Sequence, residues 1–417
     1  MTIAVDKPVL KQQYTTIIFL ISVFLLLFFR NPRLFIYPEP WAEDMVIFIP
    51  QEYNIGFPNT AFALYAGYIH LLPRIITWVS MKFDLANVML IMNWTVLFFK
   101  VYTFYLIYKS KEITSTLIKF SLIAYLVLAP FADEIYNNVT NLQWWLIPLM
   151  AVLLLKHESN TYVLIFDTCL LVLAGLTGVN SIMFAVPCAY LLFKERNRDC
   201  FIKVTAILVC ALIQFYCVSK AGRVSQIIYT WGGVADIIHM FVNRIVYHTL
   251  FNFHSKSDIN ILIFIIYVLI LCFNIYYYRK KINNKFIFIL IFIFVYIISI
   301  TYNLYKTSKG HLPDYWVLYL SEERYFVIPR VFSFILFISS LNIVYRLTLN
   351  HRNYKRCIAY SCFLICLIIL KNYPINFDFQ YRYYDELKQF ESAKPGEIVR
   401  FHFPPTIWHG QQDLRKK

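Results

Sequence analysis

Residues 85–108 read LANVMLIMNWTVLFFKVYTFYLIY, an apolar run interrupted by one charge, Lys100. A helix needs about 20 mostly apolar residues to cross a bilayer, so this run predicts a membrane span. Similar runs occupy residues 14–29, 114–129, 143–155, 161–176, 180–193, 201–219, 258–278, 286–302, 325–347 and 357–370. Counted with the first, they predict about eleven crossings, the shorter ones extending into flanking aromatic residues.

Composition agrees with that reading. The chain has 417 residues, 59% hydrophobic and 15% charged, with a mean hydropathy of +0.56, which excludes an ordinary soluble domain. Its 38 Phe and 32 Tyr suit both bilayer interfaces and surfaces that stack on sugar rings. The net charge of +15 comes from short clusters between apolar runs, with no continuous basic face, so no nucleic-acid partner is expected. All nine cysteines lie in or beside apolar runs and read as small buried hydrophobes. Lys7 and Lys11 precede the first run and Arg30-Asn31-Pro32-Arg33 follows it, with no small-residue cleavage site, which predicts an uncleaved first span.

Lys and Arg concentrate in alternate short connections, at Lys109/Lys111, Lys156, Lys194/Arg196/Arg198/Lys203, Arg279/Lys280/Lys281/Lys285 and Arg346/Arg352/Lys355/Arg356. The positive-inside rule makes these cytoplasmic, together with the N-terminus. The opposite set, residues 30–84, 130–142, 220–257 and 303–324, is longer and carries the acids, and an odd number of spans puts the tail 371–417 on that outer side. The expected division is a membrane domain over 1–370 and an outer tail over 371–417. The cytoplasmic connections are too short for a nucleotide-binding domain, and neither a GxxxxGK nor a GxGxxG segment occurs. Chemistry is therefore expected on the outer side or from within the membrane.

The first outer loop carries Trp41-Ala42-Glu43-Asp44 and then an amphipathic stretch with Tyr68, His70 and Arg74. Two adjacent carboxylates at a membrane interface repel each other and are partly desolvated, which raises at least one pKa toward a general-base range; an ordinary solvated acidic loop is the alternative. A second outer connection has Asp133, Glu134, Gln143, Trp144 and Trp145, the residue types that build carbohydrate sites, although an aromatic belt would look the same. Arg244, Arg324 and Tyr325 belong to later outer connections. An arginine at a helix lip grips a lipid phosphate or merely snorkels to the headgroups. Lys100 is costly within a span, so it is expected to face the bundle interior unless the span ends lie elsewhere. The residues 397–410 alternate like a strand and run into a Pro-Pro turn, which could cover the outer mouth of the bundle. Nine histidines without HExxH spacing predict no metal site.

The order Trp41-Ala42-Glu43-Asp44, Tyr65-Ala66-Gly67-Tyr68 with His70 and Pro73-Arg74, Asn141-Leu142-Gln143-Trp144, Leu176-Thr177-Gly178, Arg324-Tyr325-Phe326 and Phe403-Pro404-Pro405 resembles the serotype-converting O-antigen glucosyltransferases of enteric bacteria and their temperate phages. These belong to the polytopic lipid-dependent glycosyltransferases of the GT-C class. The resemblance spans nearly the whole chain and lies in motif order, not in one short signature. It departs at Thr177-Gly178-Val179-Asn180, where a more proline- or phenylalanine-rich turn is implied.

The resemblance implies an all-α GT-C-like helical bundle in the bacterial inner membrane, with the N-terminus cytoplasmic and the C-terminus periplasmic. It implies a polyprenyl-phosphate-glucose donor, a lipid-linked O-antigen acceptor and transfer on the periplasmic face. Glu43 or Asp44 would be the base and Arg324 or Arg244 the phosphate ligand. Trp41, Tyr68, His70, Asp133, Glu134, Gln143, Trp144 and Tyr325 would hold sugar. It also implies cooperation with a glucosyl-lipid flippase and a polyprenyl-phosphate glucosyltransferase, with no cofactor and a divalent ion left open. The alternatives are an O-antigen polymerase, which also has many spans and a basic outer loop, and a polyprenol-linked sugar flippase or transporter. No internal repeat of the kind common in transporters is evident.

Overall fold

The fold was obtained as a computed structural model, which describes residues 7–113, 115–128, 133–158, 160–221, 238–247, 259–278, 325–348, 382–403 and 411–417, with isolated positions in 287–296 and 353–367. The long helices are α1 (Lys7–Arg30), α5 (Leu85–Lys109), α6 (Thr116–Leu128), α8 (Leu142–Leu155), α9 (Thr161–Gly175), α10 (Asn180–Lys194), α11 (Arg198–Lys220), α12 (Ile259–Tyr278) and α13 (Val327–Thr348). Each falls on a run that hydropathy predicts. The runs at 286–302 and 357–370 lie largely outside the described residues.

Among the described residues, four helical segments are long and apolar enough to cross a membrane: Gln13–Arg30, Leu85–Lys109, Arg198–Lys220 and Val327–Tyr345. Six further apolar helices are shorter, among them α8, α9 and α10. The architecture is that of an all-α membrane protein. Its surface fits this: Ile17, Ile18, Ile21, Leu25 and Phe29 on α1, Leu212, Phe215 and Tyr216 on α11, and Leu262, Ile265 and Leu269 on α12 are exposed. Apolar faces of this extent are stable against lipid and not against water. Helix α8 differs, being buried along nearly its whole length and packed by α5, α9, α11 and α13, as an all-round apolar helix must be.

The two ends of the bundle are built differently. At one end lie the connections 110–115, 156–160 and 195–197. There Asn160 and Asn197 cap α9 and α11, accepting from Tyr162 N at 2.9 Å and Cys200 N at 2.8 Å. Lys156 and Lys203, both of which mark this end in the sequence, are also balanced locally: Lys156 Nζ is 2.9 Å and Lys203 Nζ 3.6 Å from Asp167 Oδ2, and Lys203 Nζ is 3.1 Å from Asp199 Oδ1. Lys100 faces the interior as expected. Its ammonium donates to the Tyr136 carbonyl and sits 4.1 Å and 4.4 Å from the centres of the Tyr136 and Trp145 rings.

At the other end, residues 31–84 are mostly ordered secondary structure and not an open loop. They contain α2 (Arg33–Ile36), a helical stretch that widens into a π-turn at Asp44–Phe48 and continues as α3 (Ile49–Asn54), a two-stranded ribbon of β1 (Leu64–Tyr65) and β2 (Tyr68–Ile69), and α4 (Leu71–Ser80). The ribbon pairs Leu64 with Ile69 and Tyr65 with Tyr68 across a turn in which Ala66 and Gly67 both have positive φ. Short helix α7 (Asp133–Tyr136) leads toward α8. The tail forms α14 (Arg382–Ser392) and an antiparallel pair of β3 (Ile398–His402) with β4 (Gln411–Arg415), in line with the strand-like alternation there. It docks on the first connection: the Tyr384 hydroxyl donates to the Pro38 carbonyl at 3.3 Å, and Phe390 packs edge-on against Tyr53.

Gln214, a lone amide in the apolar middle of α11, ties this end together. Its Oε1 accepts from Ile69 N and its Nε2 donates to Ile69 O, both at 2.9 Å. Replacement by leucine leaves the Ile69 amide buried without that acceptor. Gln214→Leu is expected to lower unfolding stability by about 1–3 kcal/mol, measured as a reduced thermal midpoint of the purified protein; an unchanged midpoint would show that the clasp carries no stability.

Candidate active site

The two π-helical turns among the described residues carry Asp44 and Arg244, at Asp44–Phe48 and Phe241–Tyr247. Such turns are rare and are found mostly at functional sites. Asp44 is fully buried. Thr140 holds its Oδ1 twice, through the backbone amide at 3.1 Å and the hydroxyl at 2.6 Å, while Oδ2 has no partner. Burial raises the Asp44 pKa to about 7 against the lowering effect of both Thr140 bonds, with the Glu43 charge a lesser contributor. Of the two causes expected from the sequence, mutual repulsion and partial desolvation, desolvation is the larger. Glu43 is half-buried and accepts from the Tyr65 hydroxyl at 2.9 Å.

His70 lies next to this pair. Its Nε2 is 2.9 Å from the Thr140 carbonyl, which can only accept, so Nε2 carries the hydrogen. Burial, with the nearby Arg74 charge adding to it, pushes the imidazole pKa down to about 3. The ring is therefore neutral and its Nδ1, which has no partner, is a bare acceptor. Tyr65 stacks on the His70 ring at 5.3 Å and Tyr68 meets it edge-on at 5.7 Å.

The backbone around His70 is fixed by the turn between α9 and α10. Leu71 N donates to Leu176 O at 3.0 Å, Gly178 N to Ile69 O at 3.1 Å, and Leu72 N to the Thr177 hydroxyl at 3.0 Å. Gly178 has φ +84°, and a Cβ there would overlap the Gln143 side chain. The turn that departs from the resemblance is thus the anchor of His70, and its glycine is required both by backbone conformation and by Gln143.

The segment 137–144 joins the carboxylates to a second group. Beyond Thr140, Asn141 accepts from the Trp144 indole at 3.2 Å, and Trp144 packs edge-on against Tyr325 at 5.3 Å. Next to Tyr325, the Phe326 ring centre lies 4.1 Å from the Arg244 guanidinium, and Arg330 Nε donates to the Arg244 carbonyl at 2.7 Å. Of the residues singled out in sequence, Glu43, Asp44, Tyr68 and His70 gather around Thr140 and Tyr65, while Gln143, Trp144, Tyr325 and Arg244 form a second group that the segment 140–144 connects to the first through the chain. Trp41 is half-buried and accepts from Asp44 N through its carbonyl at 2.7 Å. Asp133 and Glu134 sit in α7, but their side chains lie outside the described residues, as does all of Arg324.

Sequence reasoning did not assign Thr140, Gln214 or Arg330. Gln214 and Arg330 carried a signal, each being a polar residue within an apolar helix; Thr140 carried none. No group of three or more His, Cys, Asp or Glu side chains able to hold a metal occurs among the described residues. Two surface recesses, of about 390 and 140 Å³, are lined by Leu90, Ile91, Trp94, Thr95 and Phe98 and by Val246, Tyr267, Ser333 and neighbours, away from the carboxylates. No protein-family model, no curated protein and no solved structure matches the chain.

Asp44 makes a direct prediction. Its folded pKa of about 7 exceeds the ordinary 3.8, so the folded chain holds the proton more tightly. The penalty is absent below about pH 4, grows as pH rises and is complete above about 7. Asp44→Asn removes it while keeping an oxygen for Thr140. The stability difference between variant and parent should therefore move in the variant's favour by a few kcal/mol, at about 1.4 kcal/mol per pH unit, between pH 4 and 8. Denaturation at the two pH values measures this, and a constant difference would refute the burial argument.

Proposed function

We propose that the chain is a polytopic inner-membrane glucosyltransferase of GT-C type, which moves glucose from polyprenyl-phosphate-glucose to a sugar of the O-antigen repeat unit on the periplasmic face. The observation that carries this reading is the pair Glu43 and Asp44, one half-exposed and one buried with a pKa near 7, beside neutral His70 at one end of a membrane bundle. A pair so placed is suited to receive a proton at neutral pH. The segment that begins at Thr140 also carries the Gln143 amide and Trp144, which packs on Tyr325, rings able to pack on a pyranose.

In this mechanism an acceptor hydroxyl approaches Glu43, the reachable carboxylate of the two. Its oxygen attacks the anomeric carbon of glucose, and the bond from that carbon to the phosphate oxygen breaks. The hydroxyl proton passes to the carboxylate pair, and polyprenyl phosphate leaves with the bonding electrons. Displacement from the face opposite the leaving group inverts the anomeric centre. Charge grows on the departing phosphate, so a fixed cation, for which the sequence offers Arg244 and Arg324, stabilises the transition state more than the ground state. The lipid-linked donor and acceptor reach the site from the bilayer, which agrees with the short connections at the basic end. The full span count of about eleven, with the N-terminus cytoplasmic and the tail periplasmic, belongs to this proposal.

Glu43→Gln and Asp44→Asn should each abolish glucosylation while the protein still inserts, read by mass spectrometry of O-antigen from cells expressing each form. Full modification in both variants and in the double variant eliminates the carboxylate base. Reporter fusions within residues 55–63 should report the periplasm, and a cytosolic signal would remove the reaction's compartment.

A further inference from the structure

Buried polar atoms in folded proteins are nearly always paired, so a cluster of unpaired ones points to something that completes them. Three side chains of the first connection form such a cluster. Among the described residues, Asp44 Oδ2, His70 Nδ1 and all of Arg74 Nε, Nη1 and Nη2 are buried without a hydrogen-bond partner. His70 stands between the other two. Arg74 lies one turn beyond His70 on α4, the Phe48 ring centre is 4.8 Å from the Arg74 guanidinium and 5.6 Å from the His70 ring, and Thr140 bonds both His70 and Asp44.

Arg74 is only 1% exposed, and it makes no hydrogen bond or ion pair with a described residue. Glu52 is the carboxylate whose charge reaches it, but the Glu52 oxygens are occupied by Phe57 N at 2.9 Å and the Thr60 hydroxyl at 2.5 Å. Other buried cations show that this fold can satisfy such groups: Lys100 has a carbonyl and two rings, and Lys203 has Asp199 and Asp167. An arginine held in a dry site with its whole fork open fits an oxyanion better than any neighbour it has.

The other unpaired atoms narrow the ligand. His70 Nδ1 only accepts, so it asks for a hydroxyl donor, and Asp44 Oδ2 lies on the same network. A phosphorylated sugar offers both a phosphate to Arg74 and a hydroxyl to His70.

We propose that Arg74 is the phosphate ligand of this site and that His70 accepts a hydrogen bond from a hydroxyl of the same glycosyl phosphate. The inference rests on the transferase reading in one respect, that the phosphate is the donor's; it moves that phosphate from Arg244 and Arg324 to Arg74. Tyr65 and Tyr68 pack half-buried against the His70 ring. The neutral imidazole adds no competing charge.

The test is binding of glucose 1-phosphate, farnesyl phosphate, inorganic phosphate, glucose and farnesol to the purified full-length protein in nanodiscs, followed by native mass spectrometry and thermal unfolding. Glucose 1-phosphate and farnesyl phosphate should bind, glucose and farnesol should not, and Arg74→Leu should weaken phosphate binding by roughly tenfold or more. Arg74→Lys, which keeps the charge and loses the fork, should also bind more weakly, and it serves if the leucine variant does not fold. Without ligand, Arg74→Leu should unfold at the same or a higher temperature, because an unpaired buried charge has been removed; a merely structural arginine would give a large loss.

Equal phosphate binding by parent and both variants overturns the assignment of Arg74 and leaves the transferase reading to its own glucosylation assay. Absence of phosphate binding by the parent also overturns it. Inorganic phosphate binding as tightly as the two esters would assign the site to a free anion and overturn the glycosyl-phosphate assignment.

Discussion

The end of the bundle that holds the candidate site depends on one constraint: the three-residue segment Ile69-His70-Leu71 has its backbone bonded on both sides by elements distant in sequence. Gln214 of α11 takes both polar groups of Ile69, and the turn at 176–178 takes Ile69 O, Leu71 N and Leu72 N. A connection of this length would otherwise sample many conformations at a cost of about 1–2 kcal/mol per ordered residue. With the segment fixed, His70 can reach the Thr140 carbonyl, and Thr140 can in turn hold Asp44. The position of the carboxylate is thus set by helix α11 and by the turn between α9 and α10, although among the described residues its side-chain hydrogen bonds come from Thr140.

The second half of the constraint runs through α5. Lys100 donates to the Tyr136 carbonyl, and Asn137 donates to the Asn93 carbonyl at 3.1 Å. These bonds fasten the stretch just before Thr140 to a membrane helix. An ammonium inside a bundle is costly, and here two aromatic faces and a carbonyl offset that cost. The charge that looked anomalous in the apolar run is therefore the anchor of the segment that carries Thr140.

Much of this was legible in the sequence, for identifiable reasons. Apolar runs fix helices because each must bury or immerse one continuous surface, and the described helices fall on them. Glu43 and Asp44 stood out as adjacent carboxylates beside a span, with an ordinary solvated loop as the alternative, and His70 stood out only through the resemblance. The partners were not legible. Thr140 is an ordinary residue in a polar stretch, and its role exists only because a distant turn brings Asp44 to it. Gln214 gave a sign in its polarity but not the identity of its partner, which lies 145 positions away. The departure at Thr177-Gly178-Val179-Asn180 was visible as a difference and not as an anchor, since the clash that demands glycine comes from Gln143 on another helix.

The contrast between the two ends of the bundle gives the site its meaning. At the basic end, Lys156, Lys203, Asp167, Asp199 and Glu158 neutralise one another within 3.6 Å, and the asparagine caps close the helix starts. An end so paired resists opening, because separating any one charge leaves another buried without compensation. At the opposite end a carboxylate oxygen, an imidazole nitrogen and a whole guanidinium fork are buried without a hydrogen-bond partner among the described residues. At the basic end single oxygens of Asp167 and Asp199 are so left, while both carboxylates keep ion pairs. A chain that can pair Lys203 and enclose Lys100 has the means to satisfy Arg74 as well. That it leaves these groups unpaired beside a fixed backbone is the observation on which the proposed phosphate ligand rests.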